Sequence, residues 1–331
     1  MVPLSILDLV RVTEQTGARE AMDNARDLAV HAEALGYRRF WVAEHHNMRG
    51  IASAATSVVI AHIAAGTNTI RVGAGGIMLP NHSPLVIAEQ FGTLATLFGD
   101  RIDLGLGRAP GTDQFASRAL RRDPSAAERF PQDVLELQAL LAEPQPEQRV
   151  VAVPGSGTNV PLWILGSSTF GARLAAELGL PYAFASHFAP ASLDEALLTY
   201  RTYFKPSQQL SQPYATVGGN IIAADTDAQA RRLATTQQMA ITGIVRNARG
   251  LSKPPIDDIE TYWTPQEKAE VQQWLAVSVY GSPETVRGGI ERLIERTKAD
   301  ELMIVSDVFD HTERLRSFEL IAEAVKTPSR V

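Results

Sequence analysis

Residues 101–111 read RIDLGLGRAPG, and the fold of the chain turns on how this stretch is understood. Ile102–Leu106 is short, apolar and punctuated by glycine, as in a buried strand. Gly105 and Gly107 remove side chains where that strand ends, so a planar ligand can approach the backbone without meeting a Cβ. Arg108 follows at once, a fixed positive charge whose forked donors suit phosphate. Pro110 and Gly111 then turn the chain away. Alone, the stretch reads equally as a strand and turn with a surface arginine; its surroundings discriminate between the two.

Working outward, strands and helices alternate on both sides. Before it come a strand at Leu4–Leu9, a helix at Ala18–Leu35 stopped by Gly36, and a strand at Arg39–Ala43 running into Glu44-His45-His46-Asn47. Ser53 is placed to cap a helix over Ala54–Ala65. A strand at Ile70–Gly73 runs into Gly75-Gly76, and Ser83-Pro84 opens a helix over Leu85–Phe98. After it come a helix at Ser125–Ala142, a loop with a small hairpin expected near Val150–Val153, and a strand at Pro161–Leu165 ending in Gly166-Ser167-Ser168-Thr169. Next are a helix at Gly171–Leu178, a strand at Tyr182–Ala185 leading to His187, and a helix at Ser192–Phe204. A strand at Thr216–Ala224 precedes a helix capped by Asp227. Residues Asn247–Tyr280 form an insertion with a helix over Pro265–Val279. A helix at Glu284–Thr297, a strand at Glu301–Val305 and a last helix at Thr312–Val325 complete the chain. Such alternation implies a parallel sheet. Eight units without a second core predict an α/β fold: one (β/α)8 TIM barrel over residues 1–331, with insertions.

Composition is consistent with this. The chain has 331 residues, 45% hydrophobic, enough for one barrel of roughly 250 residues plus loops. A net charge of −6 and the lack of a basic tract argue against nucleic acid as a partner. Having no cysteine, the chain makes no disulfide, thiolate metal site or cysteine nucleophile. No basic leader with a long apolar core opens the sequence and no run of about 18 apolar residues occurs, so no membrane span and a cytoplasmic location are expected.

Ligands bind a barrel at the C-terminal ends of its strands, and the unusual residues collect there. Ser167, Ser168 and Thr169 open a helix with free N–H groups, a phosphate site or a simple cap; Arg108 on the neighbouring strand end favours phosphate. Glu44, His45 and His46 invite a metal reading. Adjacent histidines on an extended segment point to opposite sides, and no carboxylate cluster is evident, so no metal is expected. A histidine packed at a strand end remains open beside one that donates to, or exchanges a proton with, a ligand. Gly75-Gly76 reads as a bulge or as backbone beneath a flat ligand. Proline at position 110 breaks a dinucleotide fingerprint, and no Gly-x-Ser-x-Gly elbow occurs.

The combination of AEHHN at Ala43–Asn47, VGAGGIMLPNHSP at Val72–Pro84 with AEQ at Ala88–Gln90, RIDLGLGRAPG, LGSS at Leu165–Ser168 and LGLPYAFASHF at Leu178–Phe188 resembles the bacterial-luciferase-like, flavin-dependent monooxygenases over nearly the whole chain. Within that family the pattern looks most like alkanal-monooxygenase-like bacterial proteins. The resemblance implies FMN, its phosphate between Arg108 and the Ser167–Ser168 turn, with a cis peptide at Gly75–Gly76 supporting the ring. It makes His45 the catalytic histidine and places Gly107 where luciferase carries a reactive cysteine, leaving more room beside the ring. Glu44, His46 and His187 then belong to the substrate pocket. It also implies O2 and a small substrate such as an aldehyde, with reduced FMN supplied by a separate NAD(P)H-linked flavin reductase. The family includes deazaflavin-dependent dehydrogenases, so a deazaflavin-dependent hydride transfer is an alternative, as is a flavin-binding protein without catalysis.

Two further expectations concern the surface. The helices Ala54–Ala65 and Leu85–Phe98 are apolar most of the way round, which predicts a homodimer, with burial under the Glu143–Val160 loop or the C-terminal helix as the alternative. The insertion is expected to be a lid: Gly250–Pro255 is flexible by composition, and Tyr262, Trp263 and Trp274 are flat side chains able to close over a ligand. Packing on neighbouring helices is the alternative.

Overall fold

A computed structural model of the chain describes residues 1–109, 111 and 113–326. Its strands are β1 (Leu4–Asp8), β2 (Arg39–Val42), β3 (Arg71–Met78), β4 (Ile102–Gly107), β5 (Leu162–Gly166), β6 (Tyr182–Phe184), β7 (Ala215–Ala223), β8 (Ser278–Gly281) and β9 (Glu301–Val305). All pair in parallel. β1 to β7 follow one another around the sheet, β9 bridges β7 to β1, and the β6–β7 pairing closes the ring. The result is an eight-stranded (β/α)8 barrel, and β8 is a ninth strand added to the C-terminal half of β7 at Asn220–Ala223.

Strand periodicity sorts the core. Ile6, Phe40, Val42 and Val72 point outward to the helices, whereas Leu7, Trp41, Trp163, Met303 and Val305 fill the lumen. Trp41 and Trp163 meet edge to face at 5.0 Å. Below them lies a buried ionic floor: Asp103 accepts from Arg39 at 2.6 Å, Arg71 at 2.7 Å and Trp41 Nε1 at 3.1 Å. Glu301 accepts from Arg39 at 3.0 Å and the Tyr214 hydroxyl at 2.7 Å, and from Ser5. The N-terminal end is therefore plugged by paired charges, leaving the C-terminal mouth for a ligand.

The helices are α1 (Ala18–Leu35), α2 (Thr56–Ala64), α3 (Pro84–Phe98), α4 (Gln114–Ala119), α5 (Phe130–Leu141), α6 (Thr169–Leu178), α7 (Leu193–Tyr203), α8 (Asp227–Val245), α9 (Pro265–Trp274), α10 (Pro283–Thr297) and α11 (His311–Lys326). Gly36 ends α1 in the left-handed conformation with φ 84°. Several expectations are corrected. Ser53 does not cap α2; its hydroxyl donates to the Ala43 carbonyl, tying down the end of β2. The helix expected at Ser125–Ala142 is divided into a 3-10 turn at Pro124–Ala127 and α5, because Pro131 lacks the N–H that a continuous helix needs. The short α4 was not anticipated, although Asp113 caps it. No strand forms at Val150–Val153. Thr226 rather than Asp227 caps α8, and Asp227 instead accepts from the Ser282 N–H at 2.7 Å. Pro110 lies outside the described residues.

The insertion also differs from expectation. Its helix α9 ends at Trp274, and the chain then enters β8. Trp263 and Val271 are buried in a cluster with Ile241 of α8, and Trp274 packs on it, so this aromatic half lies against the barrel's outer helix. The Gly250–Pro255 segment is pinned at Ser252, whose N–H and carbonyl bond Val12 and Glu14 at 3.0 and 2.9 Å. No described helix is long and apolar enough to cross a membrane.

Candidate active site

The loop after β2 carries Glu44, His45 and His46 to the mouth. Glu44 is 1% exposed and its carboxylate is crowded with donors: His46 Nε2 at 2.7 Å, His82 Nε2 at 2.9 Å and the Met78 N–H at 3.0 Å. Burial pushes its pKa up, but the hydrogen bonds from His82, His46 and Met78 outweigh this and hold it below the ordinary carboxylate value. The fold thus gathers one carboxylate and two imidazoles, a grouping not evident from the sequence. Ligand-type atoms of Glu44, His46 and His82 lie within 4.8 Å of one another. His82 comes from the turn after β3, where the sequence shows only a helix-opening segment. With a backbone N–H and both imidazoles already directed at the carboxylate, the arrangement is a hydrogen-bonded brace between the β2 and β3 ends.

The floor of the mouth is made by glycine. The Gly75–Gly76 peptide is cis. A Cβ on Gly76 would come within 2.6 Å of the Gly105 carbonyl, and one on Gly105 within 2.2 Å of the Ala74 carbonyl, so β3 and β4 approach too closely for side chains. A Cβ on Gly107 would lie 2.9 Å from Met78 Sδ, the far end of a flexible side chain.

Arg108 and the Ser167–Thr169 turn do come together. The Arg108 guanidinium stacks 3.9 Å above the ring of Phe170, in the first turn of α6. Ser168 occupies the N-cap position without a side-chain capping bond, and its carbonyl is held by the Tyr182 hydroxyl at 3.1 Å. The Arg108 guanidinium therefore lies beside the first turn of α6, whose N–H groups carry the positive end of the helix dipole.

His45 and His187 are partly exposed at the mouth, each with a buried Nδ1 that lacks a hydrogen-bond partner. The pKa of His45 is lowered to about 4, chiefly by burial and then by Arg11 and Arg249. That of His187 is also lowered to about 4, again chiefly by burial; Asp307 opposes the shift while His45 and Arg11 reinforce it. Both imidazoles are neutral at neutral pH. Sequence reasoning missed this supporting set: Arg11, paired with Asp307 at 2.7 Å, Arg249 of the insertion, and Asn220, which donates to the His187 carbonyl at 2.7 Å. Nothing in their local sequence separates them from ordinary rim residues.

A profile of the luciferase-like monooxygenases matches residues 2–301. The chain belongs to the luciferase-like monooxygenase family. A family member from Escherichia coli K12, named luciferase-like monooxygenase, is 52% identical over 96% of each chain. The solved structure of apo-MsnO8 is 36% identical, with a TM-score of 0.88 over 99% of this chain and 100% of that one. The family's fold extends to more distant proteins. One is the oxygenating constituent of 3,6-diketocamphane monooxygenase from Pseudomonas putida in complex with FMN, at 18% identity and TM-score 0.73 over 98% of each chain. Another is an F420-dependent secondary alcohol dehydrogenase, at 14% identity and TM-score 0.69 over 98% and 99%.

Proposed function

We propose that this chain is a flavin-dependent monooxygenase that takes reduced FMN from an NAD(P)H-linked reductase and uses O2 to oxygenate an aldehyde or another small organic substrate. The observation that carries the reading is the meeting of Arg108 with the uncapped N-terminus of α6. A dianionic phosphate satisfies both at once, and the two unpartnered imidazole nitrogens at the mouth suit a heterocycle beyond it. When bound, reduced FMN supplies the electrons that activate O2.

The protein's own part follows from its residues. Arg108, Ser167, Ser168 and Thr169 would hold the phosphate, and the Gly75–Gly76 backbone and Gly107 would receive the ring. His45, kept neutral by burial and by Arg11 and Arg249, accepts or returns a proton at the reacting face. His187 faces it across the substrate space. Glu44 and His46 fix the rim that carries His45, a bracing role beside the pocket. The apolar interior excludes water from the reacting groups. Two copies assemble through α2 and α3, where Val58 and Leu97 are 67% and 66% exposed. The insertion holds Arg249 beside His45, its start being fixed to Val12 and Glu14 through Ser252.

Titrations with FMN, reduced FMN and reduced deazaflavin, with O2 uptake followed in the presence of an aldehyde, test the reading. FMN binding and aldehyde-dependent O2 uptake are expected, and His45→Ala should keep the affinity and lose product. The F420-dependent fold relative favours a second reading, deazaflavin-dependent hydride transfer. Tight deazaflavin binding without O2 uptake would establish that alternative.

A further inference from the structure

A connected set of polar side chains runs from the insertion to His187. Tyr280 of β8 donates its hydroxyl to Gln237 Oε1 at 3.0 Å. Gln237, on α8, donates through Nε2 to Asn220 Oδ1 at 2.7 Å. Asn220, on β7, donates through Nδ2 to the His187 carbonyl at 2.7 Å. Asn220 and Gln237 are 1% and 3% exposed. Water cannot replace a lost partner there, and each broken link strands a buried polar atom.

These hydrogen bonds end on the His187 backbone rather than on its ring. His187 Nδ1 has no hydrogen-bond partner to orient it. The imidazole is located by its own backbone and by close packing. A Cβ on Gly218 would lie 2.5 Å from Nδ1, and the Phe188 ring stands edge-on at 5.1 Å. The backbone carbonyl is held by Asn220, Asn220 by Gln237, and Gln237 by a hydroxyl from a strand outside the barrel.

We propose that Asn220, Gln237 and Tyr280 are positioning residues for His187, with β8 of the insertion supplying the outer anchor. The insertion then acts on the mouth by strand addition to β7. The functional weight of this rests on the reading that His187 faces the bound ligand. The test observes the imidazole itself in the cofactor-free protein, and a parallel FMN titration judges that reading separately.

The full chain is labelled at histidine ¹³Cε1, and the His187 signal is assigned among the seven histidines by its loss in His187→Gln. In Tyr280→Phe and in Gln237→Leu the signal is expected to shift. Its protonation midpoint should rise from about 4 toward 6.5 by about one unit or more, because a loosened ring gains water. Thr242→Val is the control: Thr242 is buried on the same helix but its hydroxyl donates to the Gln238 carbonyl, outside this set, so the His187 signal should not move. An unchanged signal and midpoint in both test variants would overturn the proposal, as would an equal shift in the control. If Gln237→Leu does not fold, Tyr280→Phe decides the matter, since its ring still fills the same space.

Discussion

Mild acid should destabilise this protein through the two histidines at the barrel mouth. His45 and His187 have folded-state pKa values of about 4, against 6.5 for an ordinary imidazole. Between those values the unfolded chain binds more protons than the folded one, so stability is complete above the higher value and falls as pH drops toward the lower. At about pH 5 an unfolded imidazole is almost wholly charged while the folded ones stay almost neutral, a difference of about 2 kcal/mol per histidine relative to pH 7. With an unfolding entropy of about 2 cal/mol/K per residue, a chain of this length loses about 3 °C of Tm per histidine. Thermal unfolding of the wild type, His45→Asn and His187→Asn at the two pH values isolates the effect, because the carboxylates titrate alike in all three. Each variant should lose about 3 °C less than the wild type on acidification. Parallel losses in all three would refute the assignment of these imidazoles as desolvated and neutral.

Other consequences are equally direct. Asp103→Ala leaves Arg39 buried without its nearest partner and should lower unfolding free energy by about 3–5 kcal/mol in chemical denaturation. Gly105→Ala drives a methyl into the Ala74 carbonyl of the neighbouring strand, so it should yield little folded protein on expression, whereas Gly250→Ala, with open space around it, should be tolerated. Glutamate at Val58 and Leu97, both exposed on α2 and α3, should give a species of monomer mass in sedimentation with Tm nearly unchanged; a wild type already monomeric at micromolar concentration would refute the dimer.

Much of the fold was legible because its signals are local. The apolar runs of β2 and β4 and the glycine stop of α1 each declare an element within a few residues. The N-cap serine before Pro283 does the same for α10. β8 escaped notice for a physical reason. The run Trp274–Val279 satisfies either a helical or an extended period, and only pairing with β7, more than fifty residues earlier, selects the strand. Ser53 misled because a hydroxyl before a helix serves as readily to hold a distant carbonyl as to cap. Within the site, Arg108 and the Ser167–Thr169 turn were readable from chemistry at adjacent strand ends. His82, Asn220, Gln237 and Tyr280 were not, since each acquires its role from a partner brought in by the barrel's closure.

The central claim is that Arg108 and the start of α6 form a phosphate seat, and calorimetric titration of FMN and riboflavin into wild type and Arg108→Ala tests it most directly. The wild type should prefer FMN. The variant should lose the charge-assisted contact, about 1.5–3 kcal/mol or roughly 10- to 150-fold in FMN affinity, with riboflavin affinity nearly constant. Equal losses for both ligands, or a wild type that does not distinguish them, would contradict the account.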